Sequence, residues 1–341
     1  MDKKDIVVIG ASAGGVEALM RLCRGLPPDL PAAVLVAQHM AHGSPSVLAR
    51  VLARSSTLPV SAAVDGEALQ HGRIYVSVPD RHLLLRRDTI LVRRGPRENH
   101  TRPAINALFR SAAIAYGARV VGVVLTGSLD DGTDGLIDIK RAGGTCIVQS
   151  PDEAAWPSMP QQALKRDHVD HVVDLGAMPR LLSELVRQPA GRSQPLPEQT
   201  LIEDRIAAED AHAPTPGTPS PGDASVISCP DCGGVLNETE PGSLRFRCQI
   251  GHAFTSKGLV ASQRDELERA LDIAVRTHRE REAMFLRLQH NAAAKGDTDA
   301  EQRWSDAAEQ AQKLAATLAQ ALAELDDEGD AVNDDSSSNN E

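Results

Sequence analysis

The 341-residue chain has few aromatic residues, few cysteines and no long apolar run. Aromatic residues make up only 2% of it, so a folded core must consist mainly of Ala, Val, Leu and Ile. No stretch reaches the roughly 18 consecutive apolar residues of a membrane-spanning helix, and the N-terminus lacks the pattern of a secretory signal. We therefore expect a cytoplasmic protein without an inserted membrane segment.

The chain also lacks an excess of basic charge. Residues 1–190 contain 22 Lys or Arg and 19 Asp or Glu, residues 191–341 contain 14 and 28, and the formal net charge is −11. Proteins that bind nucleic acid usually present a basic face, so this composition argues against a nucleic-acid partner. The slightly basic first half is suited to meeting an acidic protein.

The most informative stretch is an apolar run, Ile6 to Ile9, followed by the turn Gly10-Ala-Ser-Ala-Gly14. The run predicts a strand that is buried on both faces, and the turn matches the G-x-S-x-G elbow, which exposes a serine at a sheet edge. Ser12 is therefore a candidate nucleophile. A phosphate-binding turn is the alternative, although the sequence lacks the second glycine of the dinucleotide fingerprint and the lysine of a P-loop.

Apolar runs alternate with helical patterns through the first half of the chain, which predicts a doubly wound, mostly parallel α/β sheet. Residues 73–92 contain extended runs separated by turn residues, and we expect an antiparallel insert at an edge. His39 follows one predicted strand, and Asp130 and Asp131 follow another. The carboxyl ends of parallel strands share one edge of a sheet, so these side chains are expected near Ser12.

A serine hydroxyl needs a general base to become nucleophilic, and a histidine base needs a carboxylate to fix its tautomer. Ser12, His39 and one member of the aspartate pair supply these groups. On the residues alone, His39 could equally be an ordinary loop histidine. Asp130, Asp131 and Asp134 could bind Mg²⁺ or cap the helix that follows. Their shared position at strand ends favours the catalytic interpretation.

Residues 5–187 resemble the catalytic domain of CheB-type protein-glutamate methylesterases, in five blocks that occur in the same order. Several ordered blocks are more specific than any one motif. The blocks are residues 9–19 (IGASAGGVEAL), Gln38-His39-Met40, residues 102–113 (RPAINALFRSAA), Leu125-Thr126-Gly127 with Asp131-Gly132, and Met159-Pro160.

The resemblance implies a serine esterase with Ser12 as nucleophile, His39 as base and Asp131 as the acid that orients the base, without a catalytic cofactor. It also implies that backbone N–H groups near Ala13 and Ser128 receive the oxyanion. The family usually has Thr at the position of Ala13 and Met at the position of Ser128. Its usual members also carry a receiver domain, which we expect to be missing here.

The substrate implied by the resemblance is a methylated chemoreceptor or a similar helical protein. The expected reaction removes methyl esters from glutamate side chains, and the same acyl-enzyme chemistry extends to deamidation of glutamine. A non-catalytic signalling module is the alternative, in which the esterase-like domain and the C-terminal region only bind partners. The intact Ser, His and Asp favour the enzyme.

A cluster of potential metal ligands lies beyond residues 191–226, whose Pro, Gly and Ser content predicts a flexible linker. Cys229-x2-Cys232 and Cys248-x3-His252 supply four ligands suited to tetrahedral Zn²⁺, and the module resembles small zinc ribbons. A site with four protein ligands has no open position, so the zinc would be structural. Reduced cysteines without a metal are the alternative.

The C-terminal part of the chain predicts two helices and a tail. Apolar residues such as Leu267, Leu271, Leu314 and Leu318 recur at helical spacing. Two helices folded into a hairpin could form a homo-oligomer or bind a signalling partner. The expected segments are a methylesterase-like catalytic domain at 1–190, a linker at 191–226, a zinc-ribbon-like module at 227–256, a helical hairpin at 257–326 and a disordered acidic tail at 327–341.

Overall fold

A computed structural model describes residues 2–40, 47–166, 168–209, 223–239 and 242–334. The strands are β1 (Ile6–Ala11), β2 (Ala33–Gln38), β3 (Val60–Ala62), β4 (Arg73–Val76), β5 (His82–Arg86), β6 (Thr89–Arg93), β7 (Val120–Val124), β8 (Thr145–Gln149), β9 (His171–Val173), β10 (Asp223–Ser228), β11 (Val235–Glu238), β12 (Arg245–Cys248) and β13 (Ala253–Thr255). The α-helices are α1 (Gly15–Gly25), α2 (Leu48–Ala53), α3 (Ile105–Tyr116), α4 (Thr133–Arg141), α5 (Ser158–Leu164), α6 (Met178–Leu185), α7 (Glu198–Ala208), α8 (Ser256–Lys295) and α9 (Thr298–Asp334).

The main sheet has seven strands in the order β3-β4-β2-β1-β7-β8-β9, and every neighbouring pair is parallel. All residues of the central strands β1, β2 and β7 are buried. The predicted α/β sheet is therefore confirmed. Its order places the carboxyl ends of β1, β2 and β7 side by side, where the candidate catalytic residues follow.

Helices cover both faces of this sheet. Ile6 and Val8 of β1 belong to one hydrophobic cluster, with residues of α3, α4 and α5. Val7 and Ile9 belong to a second cluster, with residues of α1, α2 and α6. Successive side chains of a strand point to opposite faces, so a strand covered on both faces must be apolar throughout. This is why β1 lacks polar alternation.

The antiparallel insert is smaller than expected. Strands β5 and β6 pair in antiparallel fashion, as predicted. The run Arg73–Val76, which we expected in the same hairpin, instead forms β4, which pairs in parallel with β2 and β3 inside the main sheet. Ile74, Tyr75 and Val76 are buried there. This burial of apolar area favours the sheet over an exposed edge hairpin.

The segment predicted as a flexible linker at 191–226 contains helix α7. Ile206 and Ala207 of this helix are buried, and it packs against α3 and the β5–β6 hairpin. Its acidic residues are also buried: Glu203 contacts Arg110 of α3, and Asp204 contacts Arg86 of β5. The helix was missed because its polar residues bind basic partners that are distant in sequence. Residues 210–222 of the expected linker lie outside the described residues.

A small Cys-rich sheet, formed by β10 to β13 in that order and antiparallel throughout, belongs to the same compact unit as the main sheet, Met1–Leu259. Its own core contains Leu236, Phe254 and Leu259, together with Cys229 and Cys248. A core of this size supplies little hydrophobic stabilisation, and small modules of this kind commonly depend on a bound metal.

The second unit, Val260–Glu341, contains most of α8 and all of α9. Phe285 and Trp304 stack with ring centroids 5.8 Å apart, which confirms the predicted helical hairpin. Helix α9 continues to Asp334, into the segment predicted as a disordered tail, and residues 335–341 of that tail lie outside the described residues. Among the helices described, none is both long and apolar enough to cross a membrane.

Candidate active site and metal cluster

Ser12 lies in the turn between β1 and α1. Its backbone N–H donates to the Thr126 carbonyl at 3.0 Å, and its carbonyl accepts from Gly15 at 2.9 Å. Gly14 has a φ of 72°, a left-handed conformation that favours glycine. A Cβ atom at Gly15 would lie 2.1 Å from Oε1 of Gln38. The two glycines therefore let the chain turn sharply just after the serine and against the end of β2.

His39 follows β2 and contacts both of its predicted partners. Its Nδ1 lies 3.0 Å from Oγ of Ser12, and its Nε2 lies 2.7 Å from Oδ2 of Asp131. An ionised carboxylate only accepts hydrogen bonds, so Asp131 assigns the ring proton to Nε2 and leaves Nδ1 to accept from Ser12. The three side chains form one continuous hydrogen-bonded chain at the carboxyl edge of the sheet.

Asp131 is almost completely buried at the N-terminal end of α3. Its carboxylate accepts from the backbone N–H groups of Ile105 at 2.7 Å and Asn106 at 3.1 Å. Burial by itself would raise the pKa of Asp131, but the hydrogen bond from His39 and those from the α3 amides outweigh it, and the pKa is lowered. The carboxylate therefore stays ionised at neutral pH and carries the charge that faces the imidazole.

Asp130 has a different environment from its neighbour. Its Oδ1 lies 3.0 Å from Oγ1 of Thr255, at the end of β13. Burial raises the pKa of Asp130 to about 6, against the effect of the Thr255 hydrogen bond. The residues alone left open which of the two aspartates lies against the histidine, and in the structure it is Asp131 that contacts His39.

Ala13 and Ser128, the two positions expected near the oxyanion, lie in the loops after β1 and β7. The Ala13 carbonyl accepts from Oγ1 of Thr126 at 3.0 Å, which ties the two loops together. Ser128 follows Gly127, where a Cβ atom would lie 2.8 Å from the Cβ of Ser12. Ala13 adjoins Ser12 in the chain and Ser128 adjoins the glycine that approaches Ser12, and the role of both residues in binding an oxyanion stays a prediction.

Several residues that support the site were not singled out from the sequence. Gln38 donates from Nε2 to the Ser12 carbonyl at 2.8 Å, and its position beside His39 was the available signal. Asn106 accepts at Oδ1 from Gly132 and Gly135, at 3.0 and 2.8 Å, so it holds the loop after Asp131. Nothing near Asn106 in the sequence indicates this contact.

The four predicted metal ligands come together in the Cys-rich sheet. Their ligand atoms all lie within 4.8 Å of one another. Sγ of Cys232 lies 3.6 Å from Sγ of Cys248, and Nδ1 of His252 lies 3.6 Å from the sulfurs of Cys229 and Cys248. Tetrahedral zinc with bonds of about 2.3 Å to sulfur requires sulfurs about 3.8 Å apart. The donor set and its spacing therefore fit a metal such as zinc.

The first half of the chain matches known proteins. The sequence model of a family described as CheB methylesterase matches residues 7–182. A protein-glutamate methylesterase/protein-glutamine glutaminase 2 of Anaeromyxobacter dehalogenans is 42% identical over 183 residues, 54% of this chain and 54% of its own length. The protein of the same name from Methanosarcina mazei is 36% identical over 192 residues, 54% of this chain and 52% of its own.

The chain thus spans about half the length of the curated relatives it matches. A solved structure is similar as well: the crystal structure of the Thermotoga maritima CheB methylesterase catalytic domain is 34% identical, with a TM-score of 0.52, and the match covers 55% of this chain and 100% of that one.

Proposed function

The chain belongs to the CheB methylesterase family, and we propose that its Ser12, His39 and Asp131 hydrolyse methyl esters of glutamate side chains in a methylated protein. The observation that carries the proposal is the continuous contact from Oγ of Ser12 to Nδ1 of His39, 3.0 Å, and from Nε2 of His39 to Oδ2 of Asp131, 2.7 Å. A nucleophile, a base and a group that orients the base are the parts that acyl transfer requires.

The proposed mechanism has two acyl-transfer steps. Ser12 attacks the ester carbonyl while its proton passes to Nδ1 of His39, and the C–O bond to the methoxy group breaks as that proton is returned to form methanol. Water then attacks the acyl-enzyme by the same route and releases the glutamate carboxylate and Ser12. Asp131 stabilises the imidazolium that forms in each step, and backbone N–H groups near Ala13 and Ser128 receive the oxyanion.

Deamidation of glutamine is the second proposed reaction of the same site. His39 passes its proton to the amide nitrogen as the C–N bond breaks, so that ammonia leaves in place of methanol and the same acyl-enzyme forms. Support comes from the names of the relatives, which combine methylesterase with protein-glutamine glutaminase.

The proposed substrate is a methylated chemoreceptor or a similar helical protein, and the proposed location is the cytoplasm. Both rest on the family whose sequence model matches the chain. We further propose that one Zn²⁺ binds Cys229, Cys232, Cys248 and His252. Four protein ligands leave no position for substrate or water, so this zinc would stabilise the Cys-rich sheet and take no part in the reaction.

The test is methanol release from a methylated chemoreceptor cytoplasmic fragment, with Ser12→Ala as the inactive variant. Ser183→Ala is the matched control, because Ser183 lies on α6 and its hydroxyl only donates to the Pro179 carbonyl. We expect release that is lost in Ser12→Ala and retained in Ser183→Ala. Equal release by both variants would contradict the assignment of the nucleophile, and no release by the wild-type protein would favour the non-catalytic signalling module.

A further inference from the structure

The Cys-rich sheet contacts residues on both sides of Asp131, one in the loop after β7 and one in the first turn of α4. On one side, Oγ1 of Thr255 lies 3.0 Å from Oδ1 of Asp130. On the other, Nε of Arg245 lies 3.1 Å from Oδ2 of Asp134. Arg245 lies on β12, which ends at the ligand candidate Cys248, and Thr255 lies on β13, which begins just after the ligand candidate His252. The loop is therefore fixed by a part of the chain more than a hundred residues away, since Thr255 and Asp130 are 125 positions apart.

Thr255 is itself held firmly against the main-sheet domain. Its backbone N–H donates to Oδ1 of Asn99 at 2.9 Å, and the N–H of Asn99 donates to the Ala253 carbonyl at 2.7 Å. The N–H of Ala253 in turn donates to the Arg97 carbonyl at 3.1 Å. Strand β13 thus runs beside the segment after β6, and the Thr255 side chain has little freedom to leave Asp130.

A cluster of buried charged residues joins the Cys-rich sheet to helices α3 and α7 of the main-sheet domain. Glu203 of α7 binds Arg110 of α3 at 3.0 Å, Arg245 of β12 at 3.3 Å and Arg247 of β12 at 3.7 Å. Arg110 and Arg247 are each only 1% exposed. Burying charges is costly unless they stay paired. Displacing the Cys-rich sheet would therefore take Arg245 and Arg247 away from Glu203 and leave that buried carboxylate with less compensating charge.

We infer that the Cys-rich sheet is a positioning element of the candidate active site, and that Thr255 acts through Asp130 to hold Asp131 in place against His39. Thr255 touches no reacting atom. Its hydroxyl fixes the residue before Asp131, and a bound metal keeps β12 and β13 in the geometry that places that hydroxyl. The inference rests on the proposed esterase function.

A double-mutant cycle separates this role from simple stabilisation, because Thr255 also accepts from the Gly258 N–H at 3.1 Å at the start of α8. We expect Thr255→Val to lower kcat about tenfold with KM unchanged, and Thr255→Ser to restore it. Once Asp130 is Ala, Thr255→Val should change kcat no further. Thr277→Val, at a hydroxyl that only donates within α8, is the matched control with full activity.

Two results would overturn the inference: full activity of Thr255→Val, or an equal loss in the wild-type and Asp130→Ala backgrounds, which would indicate only a lost helix cap. Amide hydrogen exchange supplies a readout that does not depend on turnover. In Thr255→Val, peptides from residues 126–134 should exchange about tenfold faster while peptides from β1 and β2 keep their rates. If the wild-type protein had no Ser12-dependent turnover, the proposed function would be wrong. Hydrogen exchange at residues 126–134 would still show whether Thr255 positions this segment.

The contribution of the metal is tested in the full chain, with chelator-treated protein and with Cys232→Ser. Loss of zinc should increase exchange at residues 126–134 about tenfold and lower kcat to a similar extent. Re-addition of Zn²⁺ should reverse both effects in the chelated protein. Protein that has lost its zinc but keeps full protection of residues 126–134 would show that the metal does not act on this loop.

Discussion

Arg110 and Glu203 are 93 positions apart in the chain, and their side chains form an ion pair of 3.0 Å that is buried from solvent. Burial would raise the pKa of Glu203, but the charges of Arg245, Arg247 and Arg110 outweigh it and lower the pKa to about 2. Glu203 is thus ionised at neutral pH. This pair joins a helix of the main-sheet domain to a segment that sequence reasoning treated as a linker.

Arg110→Met should destabilise the protein severely, because it leaves Glu203 and Glu98 buried with less compensating charge. Removing one partner of a buried pair typically costs about 3–5 kcal/mol. Chemical denaturation measures the loss in the free energy of unfolding. Arg180→Met is the control, since Arg180 pairs with Glu184 on the exposed side of α6 and such pairs contribute little. Equal effects of the two substitutions would contradict the importance of the buried cluster.

Asp138→Asn should stabilise the protein at neutral pH and not at acid pH. Burial raises the pKa of Asp138 to about 6, whereas the same group titrates near 3.9 in an unfolded chain. The folded state therefore binds the proton more tightly, and this group favours folding increasingly as pH falls from about 7 to 4. The neutral amide, which keeps an acceptor for Thr200, should raise the free energy of unfolding by about 3 kcal/mol at pH 7.5 and change it little at pH 4. Asp29→Asn is the control, because this carboxylate is exposed, and it should have little effect at either pH. A gain in stability of equal size at both pH values for Asp138→Asn would argue against a raised pKa of Asp138.

Asp131→Asn should reduce kcat for methyl-ester hydrolysis about 10⁴-fold, the size of the effect known for the equivalent change in a serine protease. The Asn side chain can donate an N–H at the position where the carboxylate accepted a hydrogen bond from His39. It then favours the imidazole tautomer that carries its proton on Nδ1, and a protonated Nδ1 cannot accept a hydrogen bond from Ser12. Methanol release under saturating substrate measures kcat. Asp152→Asn, at an exposed turn residue, should keep normal activity, and so would Asp131→Asn if the carboxylate had no part in catalysis.

Gly127→Ala should impair activity more than stability. A Cβ atom there would lie 2.7 Å from Cε of Met159 and 2.8 Å from the Cβ of Ser12, so the serine must move. A displacement of about 1 Å in an active site can cost about 100-fold in rate. Gly176→Ala has open space around its Cβ and serves as the control. Ester turnover and thermal unfolding are measured on both proteins, and unchanged turnover in Gly127→Ala would show that the site tolerates this shift.

Purified protein should contain about one zinc per chain by elemental analysis. Cys232→Ser replaces a thiolate ligand and should lower the zinc content strongly, because the hydroxyl is a poor ligand for this metal. Cys23→Ala is the control, since Cys23 is buried in the core of the main sheet and far in sequence from the cluster. Zinc-free wild-type protein, prepared without chelators, would contradict the proposed site.

The order and type of the elements around the main sheet could be predicted from local patterns, because a strand covered on both faces must be apolar throughout. The strand that pairs with β4 could not be predicted in this way. Pro79 and Asp80 indicate a turn after Arg73–Val76, which suggested a hairpin, but pairing was decided by β2, about forty residues earlier. Helix α7 was missed for a related reason, since its buried acidic residues have partners that no local pattern reveals.

The catalytic residues of the candidate site could be predicted from the sequence more readily than the residues that hold them in position. Ser12 and His39 each follow an apolar strand, so their proximity follows from the edge of a parallel sheet. The choice of Asp131 over Asp130 came from the family resemblance and not from the residues themselves. The contact between Thr255 and Asp130 could not be predicted, because nothing in the sequence indicates that the Cys-rich sheet belongs to the same compact unit as the main sheet.

The buried pair between Arg110 and Glu203 also has a consequence for protein synthesis. A ribosome adds roughly 5–20 residues per second, so Glu203 follows Arg110 by about 5–20 s, and Arg245 and Arg247 come later still. Once β9 (His171–Val173) has been made, the nascent chain contains every strand of the main sheet but still lacks Glu203, one of the two carboxylates that pair with Arg110. Premature termination before α7 would release a chain in which the side of α3 that packs against α7 is uncovered, and such a chain would be a substrate for chaperones and proteases of quality control.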